Sequence, residues 1–229
     1  MTFHIIIPAY NAGDTIGQLL YDLNGITVKA KKITVVDDGS KDATADIVRQ
    51  FPAEIQLLKL TKNTGKGFAL KTGILNFLKD NGADYLLSMD ADLQHPVQSI
   101  PDLLSFAENT RMDLIIGARK ISPKTMPVHR VLSNKITSLI LSWITGIKIP
   151  DSQCGFRLMH RDFLKIIELK ENGFQAESEM IITAAGLEKR IGFVPIPTVY
   201  HSGHSNIKII GDTIRFIRLI VKTFLTKRK

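Results

Sequence analysis

Two stretches decide how this chain folds: KITVVDDGS (Lys32–Ser40) and DYLLSMDADLQHP (Asp84–Pro96). Each opens as a run of aliphatic or β-branched residues and stops at paired carboxylates and turn-forming residues. Short apolar runs bounded this way suit strands buried on both faces, with the acids where each strand leaves the sheet. FHIIIP (Phe3–Pro8), EIQLLKL (Glu54–Leu60) and DLIIGAR (Asp113–Arg119) repeat the pattern.

Helical patterns lie between these strands. Asp14 is placed as the cap of TIGQLLYDL and Ser40 as the cap of KDATADIVRQF, while GFALKTGILNFLKDNG is expected to end at Gly82. Alternating strands and helices predict an α/β fold with a Rossmann-like, mostly parallel sheet flanked by helices. Ligands of such sheets sit beyond the carboxyl ends of the strands, which points to the loops after Pro8, Val36, Met89 and Gly117. The second half is less regular. A loop ISPKTMP (Ile121–Pro127) precedes an apolar helix from Arg130 to Ile147, then DSQCGFRLMHRD, a helix around AESEMIITAAGLEKR, and a strand GFVPIPTVY. The apolar stripe of the helix bearing Trp143 is read as core.

With 229 residues, 44% hydrophobic and 23% charged, the chain can bury a sizeable core, which excludes disorder, collagen-like repeats and disulfide scaffolds. The net charge is +8, but residues 206–229 carry +6 of it and the preceding 205 only +2. A protein-wide basic footprint for nucleic acid is therefore not expected. The single cysteine, Cys154, cannot form an internal disulfide, which suits a reducing cytoplasm. MTFHIIIPAY does not read as a signal peptide, and no uncharged apolar run reaches spanning length. The tail places Ile207, Ile210, Ile214, Ile217, Val221 and Phe224 at three- and four-residue steps, with Lys208, Arg215, Arg218 and Lys222 largely off that stripe. The expected organisation is one domain over 1–205 and a basic amphipathic helix over 206–229. That helix suits either packing on the domain or lying on an anionic membrane surface, at the inner face of the cell membrane.

Asp37-Asp38 after one strand and the DXD triplet Asp90-Ala91-Asp92 after another, with Gln94 close behind, form the strongest chemical constellation. Clustered carboxylates repel unless a cation or donors compensate. Carboxylate oxygens two residues apart plus an amide oxygen suit a hard divalent ion, Mg²⁺ or Mn²⁺, whose open positions phosphate oxygens fill. The alternative for DDGS is a turn former.

IPAYNA (Ile7–Ala12), VVDDGSKD (Val35–Asp42), NTGKGFALKTG (Asn63–Gly73), MDADLQHP (Met89–Pro96), GAR (Gly117–Arg119) and DSQCGFRLM (Asp151–Met159) occur in this order. Together they resemble the inverting family 2 glycosyltransferases of GT-A fold, in particular the polyprenyl-phosphate branch that includes dolichyl-phosphate mannose synthase. The resemblance implies that Pro8, Ala9 and Tyr10 line the base and ribose of a UDP- or GDP-linked sugar, with Asn11 nearby, and that Asp37 accepts hydrogen bonds from the base. It implies that Lys66 sits near the nucleotide, that Asp90 meets the ribose or a metal-bound water, that Asp92 binds the metal directly, and that Gln94 completes that shell. Arg119 would face the diphosphate or the acceptor phosphate. Arg130, Ser133 and Asn134 would hold the phosphate of a polyprenyl acceptor, on one face of a helix.

For that acceptor the attacking oxygen is already anionic, and no general base is required. For a saccharide hydroxyl acceptor a base is needed, and Glu177 or Glu179 would supply it; both acids also suit the start of a helix. A third reading is a nucleotide-sugar-binding module without turnover. Where the polyprenyl branch shows R-x-x-G-x-S-K, this chain reads HSGHSN (His201–Asn206), with histidine and asparagine at the basic positions.

Overall fold

The computed structural model of the chain describes residues 1–124, 126–199 and 209–227. β1 (Phe3–Ala9) lies near the centre of a seven-stranded sheet, and Ile5, Ile6 and Ile7 are buried on both of its faces. It pairs in parallel with β2 (Lys32–Asp37) on one side and β4 (Tyr85–Ser88) on the other, while β3 (Ile55–Lys59) extends β2 in parallel. The strand order is β3-β2-β1-β4-β6-β5-β7, with β5 at Leu114–Arg119, β6 at Arg157–His160 and β7 at Ile191–Ile196. The order reverses direction between β1 and β4, and the carboxyl ends of β1, β2 and β4 open on that switch point.

The helices are α1 (Gly13–Gly25), α2 (Thr44–Arg49), α3 (Lys66–Lys79), α4 (Ile100–Thr110), α5 (Val128–Thr145), α6 (Arg161–Ile166), α7 (Gln175–Gly186) and α8 (Ile209–Lys227). α1 shows how pattern becomes packing: Ile16, Leu19, Leu20 and Leu23 recur at helical spacing and are all buried. Its start differs from expectation. Asp14 lies inside the first turn, and the terminal amides are satisfied from a distant loop, Ala12 N donating to Thr44 Oγ1 (2.8 Å) and Gly13 N to Asp42 Oδ2 (2.8 Å). Ser40 likewise does not cap α2; its hydroxyl accepts from Asn11 N at 2.8 Å. α3 ends at Lys79 rather than Gly82, whose amide turns back onto Asp80 Oδ1 at 2.8 Å.

β6 has no counterpart among the expected strands. Its four residues, RLMH, are too few to show a period, and it runs antiparallel between β4 and β5. Its first residue, Arg157, is among the largest fully buried side chains. The guanidinium donates to three backbone carbonyls: Nε to Cys154 O (2.9 Å), Nη1 to Glu177 O (2.6 Å) and Nη2 to Ser152 O (2.9 Å).

α5 corrects the reading of its stripe as core. The buried side is partly polar: Asn134 Nδ2 donates to Asp151 Oδ1 (2.7 Å), and Ser138 Oγ to Ser152 Oγ (3.0 Å). Val128, Leu132, Ile136, Leu139 and Trp143 face outward, Leu139 73% and Trp143 74% exposed. The helix is amphipathic in the inverse sense, because Asp151 and Ser152 demand polar partners beneath it. α8 packs on α7; Leu219 is buried and Phe216 and Ile220 are half-buried against the core, while Ile214, Ile217 and Val221 of the expected stripe stay exposed. The boundary expected at 205/206, and His201 to Asn206 with it, lie outside the described residues. No helix among the described residues is long and apolar enough to cross a membrane.

Arg157→Leu would leave three buried carbonyls without donors. We expect it to lower the unfolding free energy by about 3 kcal/mol or more, measured by urea titration.

Candidate active site

The acids expected from sequence gather at the switch point, each held differently. Asp37, at the end of β2, is fully buried; its Oδ1 accepts from Ser40 N (2.8 Å), whereas Oδ2 is buried without a hydrogen-bond partner. A buried carboxylate oxygen left without a donor is costly, and a ligand N–H would satisfy it. Asp38 has another task. Its oxygens accept from Thr64 N (2.8 Å) and Gly65 N (2.7 Å), tying the β2 loop to the start of α3, and burial raises its pKa despite those donors.

Beside Asp37 lies an open cavity of about 570 Å³ lined by Tyr10, Gly39, Ser40, Lys41, Lys59 and the 60–63 segment. Tyr10 reaches it directly. Pro8 and Ala9 end β1, and Ala9 O accepts from Asp38 N at 2.8 Å. Asn11 adopts a left-handed backbone (φ 49°), and its Oδ1 accepts from Lys41 N at 2.9 Å, so it shapes the cavity wall.

The DXD loop follows β4. Lys66, the first residue of α3, places its ammonium 2.6 Å from Asp90 Oδ1 and 2.7 Å from Glu177 Oε1. Burial alone would raise the Asp90 carboxyl; Lys66 and, less strongly, His95 and Arg119 outweigh it and hold the group below the usual carboxylate range. Asp92 shifts the other way, raised by desolvation and by the Asp90 charge beside it, while its Oδ1 accepts from Gln94 N at 3.1 Å. Lys66, expected near the nucleotide, therefore bridges two acids and is not a solvated lysine at a helix start.

Among the described residues, no three His, Cys, Asp or Glu side chains are grouped to hold a metal. The donor set nevertheless fits a divalent ion, because a hard cation would relieve the like-charge repulsion between Asp90 and Asp92.

Arg119, at the end of β5, is locked in a bidentate pair with Asp151, Nε to Oδ2 at 2.7 Å and Nη2 to Oδ1 at 3.2 Å. Asn134 joins this pair from α5, so it is buried and serves Asp151 and Ser138 rather than presenting an amide with Arg130 and Ser133. Ser133 is exposed and accepts from Gln153 Nε2 at 3.4 Å; Arg130 is half-buried one turn earlier than Asn134. The two glutamates separate as well. Glu177 lies in the first turn of α7 with its carboxylate on Lys66, so it is an ion-pair partner as much as a helix-start acid. Glu179 accepts on both oxygens from Lys170 N (3.0 Å each) and on Oε2 from Glu171 N (2.9 Å), which staples a loop to α7.

Sequence reasoning missed His95, although it stands one residue after Gln94. Its Nδ1 accepts from Asp90 N (2.9 Å), its ring stacks on Phe156, and burial pushes its pKa down to about 4, so the neutral ring carries its proton on Nε2. It also missed Asp151, which lies inside a quoted motif and pairs with Arg119 only through the tertiary fold. Cys154 Sγ lies 3.7 Å from His95 Nε2, and burial pushes the thiol up to about 12, so it is an inert packing group.

Comparison with known proteins accords with this geometry. Residues 4–167 match the family model described as glycosyl transferase family 2. The chain is 30% identical over 217 residues to UDP-N-acetylglucosamine--dolichyl-phosphate N-acetylglucosaminyltransferase of Methanococcus voltae, covering 86% of this chain and 85% of that one. It is 31% identical over 221 residues to undecaprenyl-phosphate mannosyltransferase of Micrococcus luteus, covering 91% and 89%. Among solved structures, mannosyl-3-phosphoglycerate synthase from Rubrobacter xylanophilus superposes with a TM-score of 0.75 at 17% identity, covering 99% of this chain and 74% of that one. Glucosyl-3-phosphoglycerate synthase from Mycobacterium tuberculosis, crystallised with Mn²⁺, UDP-glucose and glycerol 3-phosphate, gives 0.73 at 17% identity over 98% and 79%. These likenesses establish the GT-A fold expected from the ordered motifs. A family match over most of the chain, on a fold whose acids converge at the switch point, makes this protein a glycosyltransferase belonging to glycosyl transferase family 2.

Proposed function

We propose that this glycosyltransferase inverts the anomeric centre of a nucleotide-diphosphate sugar, UDP- or GDP-linked, as it transfers the sugar to a polyprenyl phosphate. The observation that carries the acceptor is the state of the two glutamates. Glu177 is ion-paired with Lys66 and Glu179 is held by backbone amides, so neither is free to take a proton from a saccharide hydroxyl. A phosphate acceptor brings an oxygen that is already anionic and needs no such base. The relatives named for dolichyl and undecaprenyl phosphate support the same choice.

On the donor side, Asp37 Oδ2 is the acceptor for a base N–H, with Tyr10 against the base in the adjoining cavity. Asp90 and Asp92, with Gln94 beside them, would hold Mg²⁺ or Mn²⁺. When bound, such an ion would neutralise the charge that grows on the diphosphate as the sugar leaves. Arg119 adds fixed positive charge, and Asp151 keeps its fork from reorganising during the reaction. Arg130 and Ser133 stand at the head of α5 as the acceptor-phosphate groups, on the helix whose outward face is apolar. That face and the basic stripe of α8 suit a peripheral position on an anionic leaflet, each basic residue near the surface contributing about 1 kcal/mol.

With purified protein and Mn²⁺ or Mg²⁺, nucleoside-diphosphate release across a donor panel should require polyprenyl phosphate. Release driven equally by a saccharide lacking phosphate would overturn the acceptor assignment. Asp92→Asn should lower turnover by about a hundredfold or more with an unchanged circular dichroism spectrum; full activity without added metal would remove its assigned role. Trp143 is the only tryptophan in the chain, and its emission should shift to the blue on adding anionic vesicles. Leu139→Glu should abolish the shift, and no shift in the unsubstituted protein would refute docking through α5.

A further inference from the structure

Lys66 occupies a position that only its acidic neighbours explain. It is the first residue of α3, where the helix dipole disfavours a positive charge, and its side chain is only 17% exposed. Its backbone cannot shift to relieve this. Gly65 before it has φ +110°, and a Cβ there would meet Asn172 O at 2.5 Å, so the chain entering the helix is wedged against the segment leading to α7. From this fixed root the ammonium reaches between two carboxylates that converge on one point. A Cβ at Gly155 would lie 2.6 Å from Asp90 Oδ1 and 2.9 Å from Glu177 Oε1, so both acids fill the space over Gly155 with Lys66 Nζ bridging them. The Asp90 charge also reaches Asp92, whose pKa desolvation and that charge raise.

Asp90 therefore has two claimants, the ammonium already on it and the divalent ion that the Asp90–Asp92 pair fits. We infer that Lys66 is a resident counter-ion: it holds Asp90 and Glu177 together while no metal is bound, and competes with the metal for Asp90. When the cation takes Asp90, Lys66 loses one of its two carboxylate partners and keeps Glu177. Lys66 is thus a positioning residue that weakens metal binding, the opposite of what an ordinary structural lysine would do. The inference rests on the divalent-ion reading of Asp90 and Asp92, and its test reads Mn²⁺ alone, without donor or acceptor.

Free Mn²⁺ is followed by electron paramagnetic resonance during titration of the unsubstituted chain, Lys66→Met and Lys66→Arg. Loss of one neighbouring positive charge should tighten Mn²⁺ binding about tenfold in Lys66→Met, whereas Lys66→Arg, which keeps the charge, should stay near the unsubstituted value. Unchanged or weaker binding in a folded Lys66→Met overturns the competition alone. No Mn²⁺ binding by the unsubstituted chain overturns the metal reading as well. Should Lys66→Met fail to fold, the unsubstituted protein decides. Reductive methylation at Lys66, read by peptide mass spectrometry, should rise when Mn²⁺ is added, and a constant or reduced extent refutes the inference.

Discussion

A guanidinium with no carboxylate in hydrogen-bonding reach among the described residues holds the centre of this enzyme together. Arg157 is fully buried, and its hydrogen bonds end on the carbonyls of Ser152, Cys154 and Glu177. Buried cations are tolerated only when their donors are satisfied, and three carbonyl dipoles do this without a counter-charge that would compete elsewhere. Through those bonds one side chain sets β6, the 151–155 segment and the first turn of α7. From the 151–155 segment, Asp151 fixes Arg119, and Gly155 forms the floor beneath Asp90. From α7, Glu177 reaches Lys66 and through it the DXD loop. The acidic half of the site is thus assembled from four segments distant in sequence by one short antiparallel strand.

The same arrangement explains why α5 turns its polar side inward. Asp151 and Ser152 are buried beside it, and Asn134 and Ser138 supply the hydrogen bonds they need. The aliphatic residues and Trp143 are left on the outside, where a water-facing helix would ordinarily carry charge. α8 repeats the effect, burying Leu219 and half-burying Phe216 and Ile220 while Ile214, Ile217 and Val221 remain exposed. Both helices pack on α7, and each leaves an apolar stripe exposed.

Most of the sheet and half of the site were legible before any coordinates. β1, β2, β4 and β5 announce themselves as apolar runs that stop at Gly, Pro or Asp, and parallel strands buried on both faces leave little other reading. Asp37, Asp90 and Asp92 were located by the same logic, because the ends of such strands are where ligands bind. What failed was whatever depends on a partner far along the chain. The helix start at Asp14 was misplaced because Thr44 and Asp42 satisfy the α1 amides from another loop, and that at Ser40 because its hydroxyl accepts from Asn11 N instead. Glu179 and Asn134 carry side chains fit for catalysis or phosphate binding, yet each is occupied by a neighbour that no spacing rule identifies.

The amino-acid sequence by itself determined the family, the parallel sheet and the positions of the acids at the strand ends, since these follow from local periodicity and ordered motifs. Only the tertiary structure decided which charges meet. Lys66 lies 24 positions from Asp90 in the numbering and 111 from Glu177, and a contact of 2.6–2.7 Å at that separation is set by how α3, β4 and α7 pack. The inward polar face of α5 was likewise decided by Asp151 and Ser152 beneath it. Periodicity reveals that a helix has two faces; the groups buried next to it determine which face turns in.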